Sequence, residues 1–275
     1  MTFGKRLVEA VATRGPVCIG IDPHVELMHA WDLPISPAGL ARFAEICVEA
    51  FCGQVAVVKP QSAFFEVFGS AGVAVLEQTI AGARQAGALV LLDVKRGDIG
   101  STMAAYAQAY LDPSSPLAAD AITVSPYLGV GSLEPAFDAA AKHGAGVFVL
   151  AATSNKEGPQ IQRATNAAGT MVAQTVVDEV AARNRGARPL GCLGVVFGAT
   201  ITNHGIDLSA LNGPILAPGV GTQGGNAETV GASFGGALSA VLPSVSREVL
   251  RCGPDVNALR EAVTRQVDAF TFLRG

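Results

Sequence analysis

The chain has 275 residues, 49% hydrophobic and 15% charged, with a formal net charge of −4 at neutral pH. That is enough apolar material for a large core, and the length suits two small domains or one large α/β barrel. There is no Lys/Arg run to suggest a nucleic-acid partner. No stretch of about 18 uninterrupted apolar residues predicts a membrane span. An anionic substrate would have to be met by local cations, because the overall field opposes it.

The opening stretch MTFGKRLVEAVATRGP breaks its short apolar run at Glu9, so an amphipathic helix is expected rather than a secretory signal. Apolar runs then recur at 17–22, 55–60, 88–95, 121–126, 146–154, 192–198, 214–219 and 238–244. Runs without polar alternation predict parallel strands covered on both faces. Helical patterns lie between them. Ser36-Pro37 is a helix start, a capping side chain followed by proline in the first turn. Leu40, Phe43, Cys47 and Phe51 follow at helical spacing. The span 155–189 should hold a loop at the active-site end and a long helix. Near the C-terminus Val256, Leu259, Val263, Val267 and Phe270 share one helical face. Eightfold strand–helix alternation predicts an α/β fold, a single (β/α)8 TIM barrel over residues 1–275. A doubly wound open sheet is the alternative. The five cysteines match neither a zinc site nor a disulfide framework. Reduced thiols in a cytoplasmic protein are expected.

In such a barrel the active site lies at the C-terminal strand ends. Those ends carry Asp22, Lys59, Asp93 with Lys95, Ser125, Ser154, Gly198, Pro218-Gly219 and, after the eighth strand, Arg247. Each alone has a plainer reading. Asp22 precedes a proline and suits a turn. Lys59 could be a solvated strand end and Arg247 a surface arginine. Ser125 and Ser154 could cap loops, and Asp98 could be a helix N-cap. The four histidines show no spacing for a metal or a triad. The stretch LLDVKRGDIGST (91–102) is more specific. Asp93 and Lys95 are two apart on one strand and point the same way. With Lys59 and Asp98 they can form an alternating Lys-Asp-Lys-Asp array.

That stretch resembles the signature of the orotidine 5′-phosphate decarboxylase family. GIDP (20–23), VKPQSAFFE (58–66), TVSPYLG (123–129), ATSN (152–155) and APGVGTQGG (217–225) resemble the same family in the same order. The pattern is similar to the longer bacterial branch seen in actinobacteria. The resemblance implies that orotidine 5′-phosphate loses CO₂ to give UMP, without a cofactor or metal. It implies that Lys95 protonates C6 and that Asp93 lies against the substrate carboxylate. Lys59 would bind the ribose and one acid of the array. Asp98, with Thr102 beside it on the ribose, would reach across a homodimer interface into the partner's site. Asp22 would be a further ribose ligand, Ser154 would read the pyrimidine edge, and Gln223 would span base and phosphate. Pro218, just before the Gly-rich run GVGTQGG (219–225), would be a further substrate-binding residue, and Arg247 would bind phosphate. The chain departs from the pattern at Ser125, where the branch often has Asn, and around Arg247, where VSREVL stands. Two other readings remain open: a Mg²⁺-dependent sugar-phosphate decarboxylase of the same superfamily, and a barrel that binds a nucleotide without turning it over.

Overall fold

The computed structural model describes residues 1–202, 204–221 and 224–274. Its eight parallel strands close into a barrel in chain order. They are β1 (Cys18–Ile21), β2 (Val57–Pro60), β3 (Leu89–Arg96), β4 (Ala121–Val124), β5 (Gly146–Ala152), β6 (Leu193–Phe197), β7 (Ile215–Pro218) and β8 (Val241–Val245). The (β/α)8 barrel read from the sequence is the observed architecture. β1, β2, β4, β6 and β8 are buried at every residue, which is why they lack polar alternation. One boundary differs. Residues expected to begin the eighth strand lie in a 3₁₀ segment, Gly235–Ala240. Pairing with β7 starts only at Val241, opposite Ile215, while Ala237 and Leu238 pack on the core from outside the sheet.

The helices form where the side chains dictate. Ser36 accepts a hydrogen bond from Gly39 N at 3.3 Å and starts the helix Pro37–Phe51. Leu40, Phe43, Cys47 and Phe51 on it are fully buried. Asp255 caps the helix Val256–Ala269 through Ala258 N at 2.8 Å. That helix buries Leu259 and Val263, with Val256 and Val267 partly buried against the same core. The span 155–189 holds a short helix, Pro159–Gln162, and a longer one, Val172–Arg183. Among the described residues no helix is long and apolar enough to cross a membrane.

Two apolar layers result. The larger lies between strands and helices. The smaller fills the lower barrel, where Leu91, Phe148, Val196, Leu216 and Leu242 meet Phe3 and Leu7 of the helix Phe3–Arg14. The Phe3 and Phe148 rings meet edge to face with centroids 6.0 Å apart. Arg6 on the same helix pairs with the buried Asp120 at the start of β4 and donates to Gly144 O at 2.9 Å. The barrel is therefore plugged below and open for chemistry only above.

Burial also sets the thiols apart. Cys18, Cys47 and Cys52 are buried, whereas Cys192 and Cys252 are partly accessible. Burial disfavours thiolate and pushes Cys18 and Cys52 up to about 12, and Cys47 well above its ordinary value. Titration of the native protein with Ellman's reagent at about pH 8 should show no more than the two thiols of Cys192 and Cys252. All five should appear in denaturant. Rapid native reaction at Cys47 would contradict this packing.

Candidate active site

Strand parity decides what the upper barrel contains. Inward positions rise from apolar to polar along one strand after another: Cys18 and Gly20 on β1, with Asp22 just past its end; Val57 and Lys59 on β2, with Gln61 just past its end; Leu91 and Asp93 on β3; Leu242 and Ser244 on β8. Above the apolar plug lies a cleft of about 270 Å³. Asp22, Lys59, Asp93, Lys95, Ser154, Pro218 and Arg247 all line it.

Asp93 is the hub, only 6% exposed. Lys95 Nζ donates to its Oδ1 at 2.6 Å, and Lys59 Nζ to its Oδ2 at 3.2 Å. Gln61 Nε2 donates to Oδ2 at 2.9 Å, and Thr123 Oγ1 to Oδ1 at 2.8 Å. Lys59 Nζ also lies 3.9 Å from Asp22 Oδ1, a charge contact too long for a hydrogen bond. The result is a continuous Asp22–Lys59–Asp93–Lys95 chain. Its inner members are buried, whereas the Lys95 side chain keeps 45% of its surface open. The charged end presented to the cleft is thus an ammonium.

Burial alone would raise the Asp93 carboxyl and lower the Lys59 ammonium. For Asp93, Lys59 and Lys95 outweigh burial and hold it well below the usual carboxylate range. For Lys59, Asp22 and Asp93 outweigh burial and push it above its ordinary value. Both therefore stay charged through the neutral range.

The end of β3 is irregular. Leu92 pairs with Ile122 and Arg96 with Val124, so Asp93, Val94 and Lys95 lie opposite Thr123 alone. Lys95 has φ +47°, in the left-handed region. Arg96 anchors the segment from outside the barrel, donating to Glu66 at 2.7 Å and to Tyr110 Oη at 3.2 Å. Gly97 then passes against the Ser125 carbonyl, where an added Cβ would overlap it.

Two expected ligands are not brought into this cleft. Asp98 accepts from Ile99 N at 2.7 Å rather than capping the following helix, Gly100–Leu111. Thr102 is exposed on that helix, and neither residue lines the cleft. The array within one chain therefore holds Lys59, Asp93 and Lys95 but not Asp98. Gln223 lies outside the described residues. Conversely, Gln61, Thr123, Ser244, Ser246 and His24 line the cleft without having been singled out. The His24 ring meets Phe64 at a tilt of 58°, with centroids 4.3 Å apart. Counting every second residue from Lys59 and up β4 and β8 would have found the first three. Ser246 Oγ and Asp22 Oδ1 are buried and, among the described residues, have no hydrogen-bond partner. They flank Gly20, where a Cβ would come within 2.7 Å of Ser246 Cβ.

Linkage gives a test of the buried chain. Asp93 titrates lower in the folded state than in the unfolded state. The stability this confers is present above the ordinary Asp value and is lost as pH falls below it. Without Lys59 the depression shrinks. Urea unfolding from about pH 7 to about pH 3 should show wild type losing stability more steeply than Lys59→Met. Parallel curves would mean that Lys59 does not hold Asp93 ionised.

Comparison with known proteins agrees with this geometry. Residues 15–262 match the family model described as orotidine 5′-phosphate decarboxylase / HUMPS family. The orotidine 5′-phosphate decarboxylase of Salinispora arenicola is 64% identical over 264 residues, 96% of this chain and 95% of that one. The enzyme of the same name from Corynebacterium efficiens is 56% identical over 272 residues, covering 98% and 97%. A crystal structure from Streptomyces avermitilis superposes with a TM-score of 0.96 at 55% identity, covering 99% of this chain and 95% of that one. The Leishmania donovani OMP decarboxylase superposes at 0.76 with 28% identity, covering 100% and 99%.

Proposed function

The chain belongs to the orotidine 5′-phosphate decarboxylase / HUMPS family, and on that premise we propose that it converts orotidine 5′-phosphate to UMP and CO₂ in pyrimidine biosynthesis. The observation that carries this reading is the buried Lys59–Asp93–Lys95 chain, which ends in an accessible ammonium at the cleft. Breaking the C6–carboxylate bond leaves an electron pair on C6 that the pyrimidine ring delocalises poorly. A fixed ammonium at that carbon stabilises the charge as it forms and then gives up the proton that replaces CO₂. Lys95 is that group. Its position is held by Asp93, which is itself held by Lys59, Gln61 and Thr123, so little reorganisation is needed during the reaction. Asp93 also places fixed negative charge beside the substrate carboxylate, a repulsion relieved as CO₂ departs. Such electrostatic work can proceed without an organic electron sink or a metal.

The remaining ligands gather binding energy away from the reacting bond and use it to reach the transition state. Asp22 and Lys59 face the ribose, Ser154 the base, and Arg247 with the loop after Pro218 the phosphate; Gln223 belongs to the same loop in sequence. Asp98 and Thr102 act in a partner's site within a homodimer. Two observations support that assignment. Neither residue lines its own cleft. They also sit beside an exposed apolar rim, with Ile99 62% and Tyr127 76% exposed on loops joined by the Ser125 N to Arg96 O bond at 2.7 Å. A second copy of the chain would cover that rim. The buried reduced thiols suit a cytoplasmic enzyme.

Absorbance assays of orotidine 5′-phosphate with EDTA present should show metal-free conversion to UMP by wild type. Lys95→Ala should lower kcat by at least about 10³-fold. Well-folded wild type that does nothing to this nucleotide, but decarboxylates a sugar phosphate when Mg²⁺ is added, would replace the reading with the superfamily alternative. Tight UMP binding without CO₂ release would favour a binding barrel. The shared site has its own test. Mixed dimers of inactive Asp98→Ala and Lys95→Ala chains contain one site with both defects and one with neither. They should recover up to about half the wild-type activity per mixed dimer. Verified mixed dimers that stay inactive would place Asp98 in its own chain's site.

A further inference from the structure

We infer that Thr123 is a positioning residue for the decarboxylation, a clamp that fixes Lys95 and Asp93 relative to each other through one hydroxyl. The inference rests on the decarboxylase reading of this site. Thr123 is 1% exposed at the middle of β4. It is the single residue of β4 that lies opposite Asp93, Val94 and Lys95 of β3. Its Oγ1 donates to Asp93 Oδ1 at 2.8 Å and accepts from the Lys95 backbone N–H at 3.0 Å. The same Oδ1 accepts from Lys95 Nζ at 2.6 Å. The four groups close a ring: Lys95 main chain to Thr123, Thr123 to Asp93, Asp93 to the Lys95 ammonium.

The ring explains two features together. Extra residues in a strand leave backbone donors without ladder partners, and an unpaired buried N–H is costly. Thr123 takes the Lys95 N–H that the bulge frees. Lys95 also adopts φ +47°, a region that residues with a Cβ rarely enter. Such a conformation persists only where surrounding contacts enforce it. Here they are the hydrogen bond from its backbone N to Thr123 Oγ1 and the ion pair from its Nζ to Asp93 Oδ1, the oxygen to which that hydroxyl donates. The bulge lets Asp93 and Lys95 both reach the cleft, and the hydroxyl fixes how they meet there.

Only a side chain that donates and accepts at once, at this size, serves both bonds. Valine has the shape without the hydroxyl. Serine keeps the hydroxyl and loses a methyl. In Thr123→Val, kcat should fall about 10- to 100-fold, the range for losing a hydrogen bond to a charged group. KM and the UMP dissociation constant should change by less than about threefold, since ground-state binding is drawn from other residues. Thr123→Ser should recover kcat to within about threefold of wild type. A residue that only supported the barrel would lower the melting temperature and leave kcat per folded molecule unchanged. Should the valine variant fail to fold, Thr123→Ala is assayed against Thr123→Ser under the same criteria. Wild-type kcat in a folded variant lacking the hydroxyl would overturn the clamp alone. So would serine as impaired as valine, which would assign the effect to packing of the methyl. Absence of turnover in the parallel wild-type assay would overturn the decarboxylase reading and the clamp together.

Discussion

Everything at the open end of this barrel depends on one buried carboxylate having two ammonium partners. Asp93 is nearly inaccessible, and an unpaired charge there would be strongly unfavourable. Lys59 from the neighbouring strand and Lys95 from its own strand meet its two oxygens separately. Gln61 and Thr123 take further lone pairs. With the acceptor saturated, the carboxylate cannot swing away, and the lysine bonded to it inherits that rigidity. Rigidity of a charge near a reacting carbon is what electrostatic catalysis requires. The interaction that makes burial tolerable is therefore the one that makes the site useful.

The barrel supports this by separating two kinds of interior. Below, Phe148, Leu91 and Leu216 fill the bore, and the first helix closes it with Phe3 and Leu7. Above, the same inward positions become Asp22, Lys59, Asp93 and Ser244. A dry floor lowers the local dielectric and strengthens charge interactions directly over it. The ion pair of Arg6 with Asp120 ties the plug to the foot of β4, three residues before Thr123 and four before the end of that strand. Packing at the closed end and hydrogen bonding at the open end thus share strands.

The groups proposed to recognise the nucleotide, by contrast, are spread around the rim. β2 to β8 each bring at least one group, and the segments after the strands, Asp22 and Arg247 among them, bring more. A ligand that bridges many strands couples its binding energy to their mutual arrangement. That coupling gives groups far from the reacting bond an influence on it. The exposed rim formed by Ile99 and Tyr127 lies beside Asp98, so covering the rim and completing a site are the same event in the proposed dimer.

The α/β class was legible in the sequence, because apolar runs without alternation suit parallel strands covered on both faces and helical patterns lie between them; closure into a barrel rather than an open sheet is seen in the strand pairing. The sequence also identified Lys59, Asp93 and Lys95, because charges that end such runs have one rim at which to emerge. The cap at Ser36 and the buried face of the last helix were legible for similar local reasons. The parity of β4 and β8 was legible too, had it been counted: Thr123 and Ser244 follow from it. Other features depend on contacts between distant parts of the chain. The bulge that sets three residues of β3 against Thr123 depends on the register between two strands. The left-handed backbone of Lys95 is enforced by contacts from another strand, against its own local preference. The eighth strand starts at Val241 because β7 offers its first partner there. Asp98, two residues past the end of β3, does not line its own cleft. Local pattern specifies which residues are buried and which face they share. Register and chain crossing specify which of those residues touch.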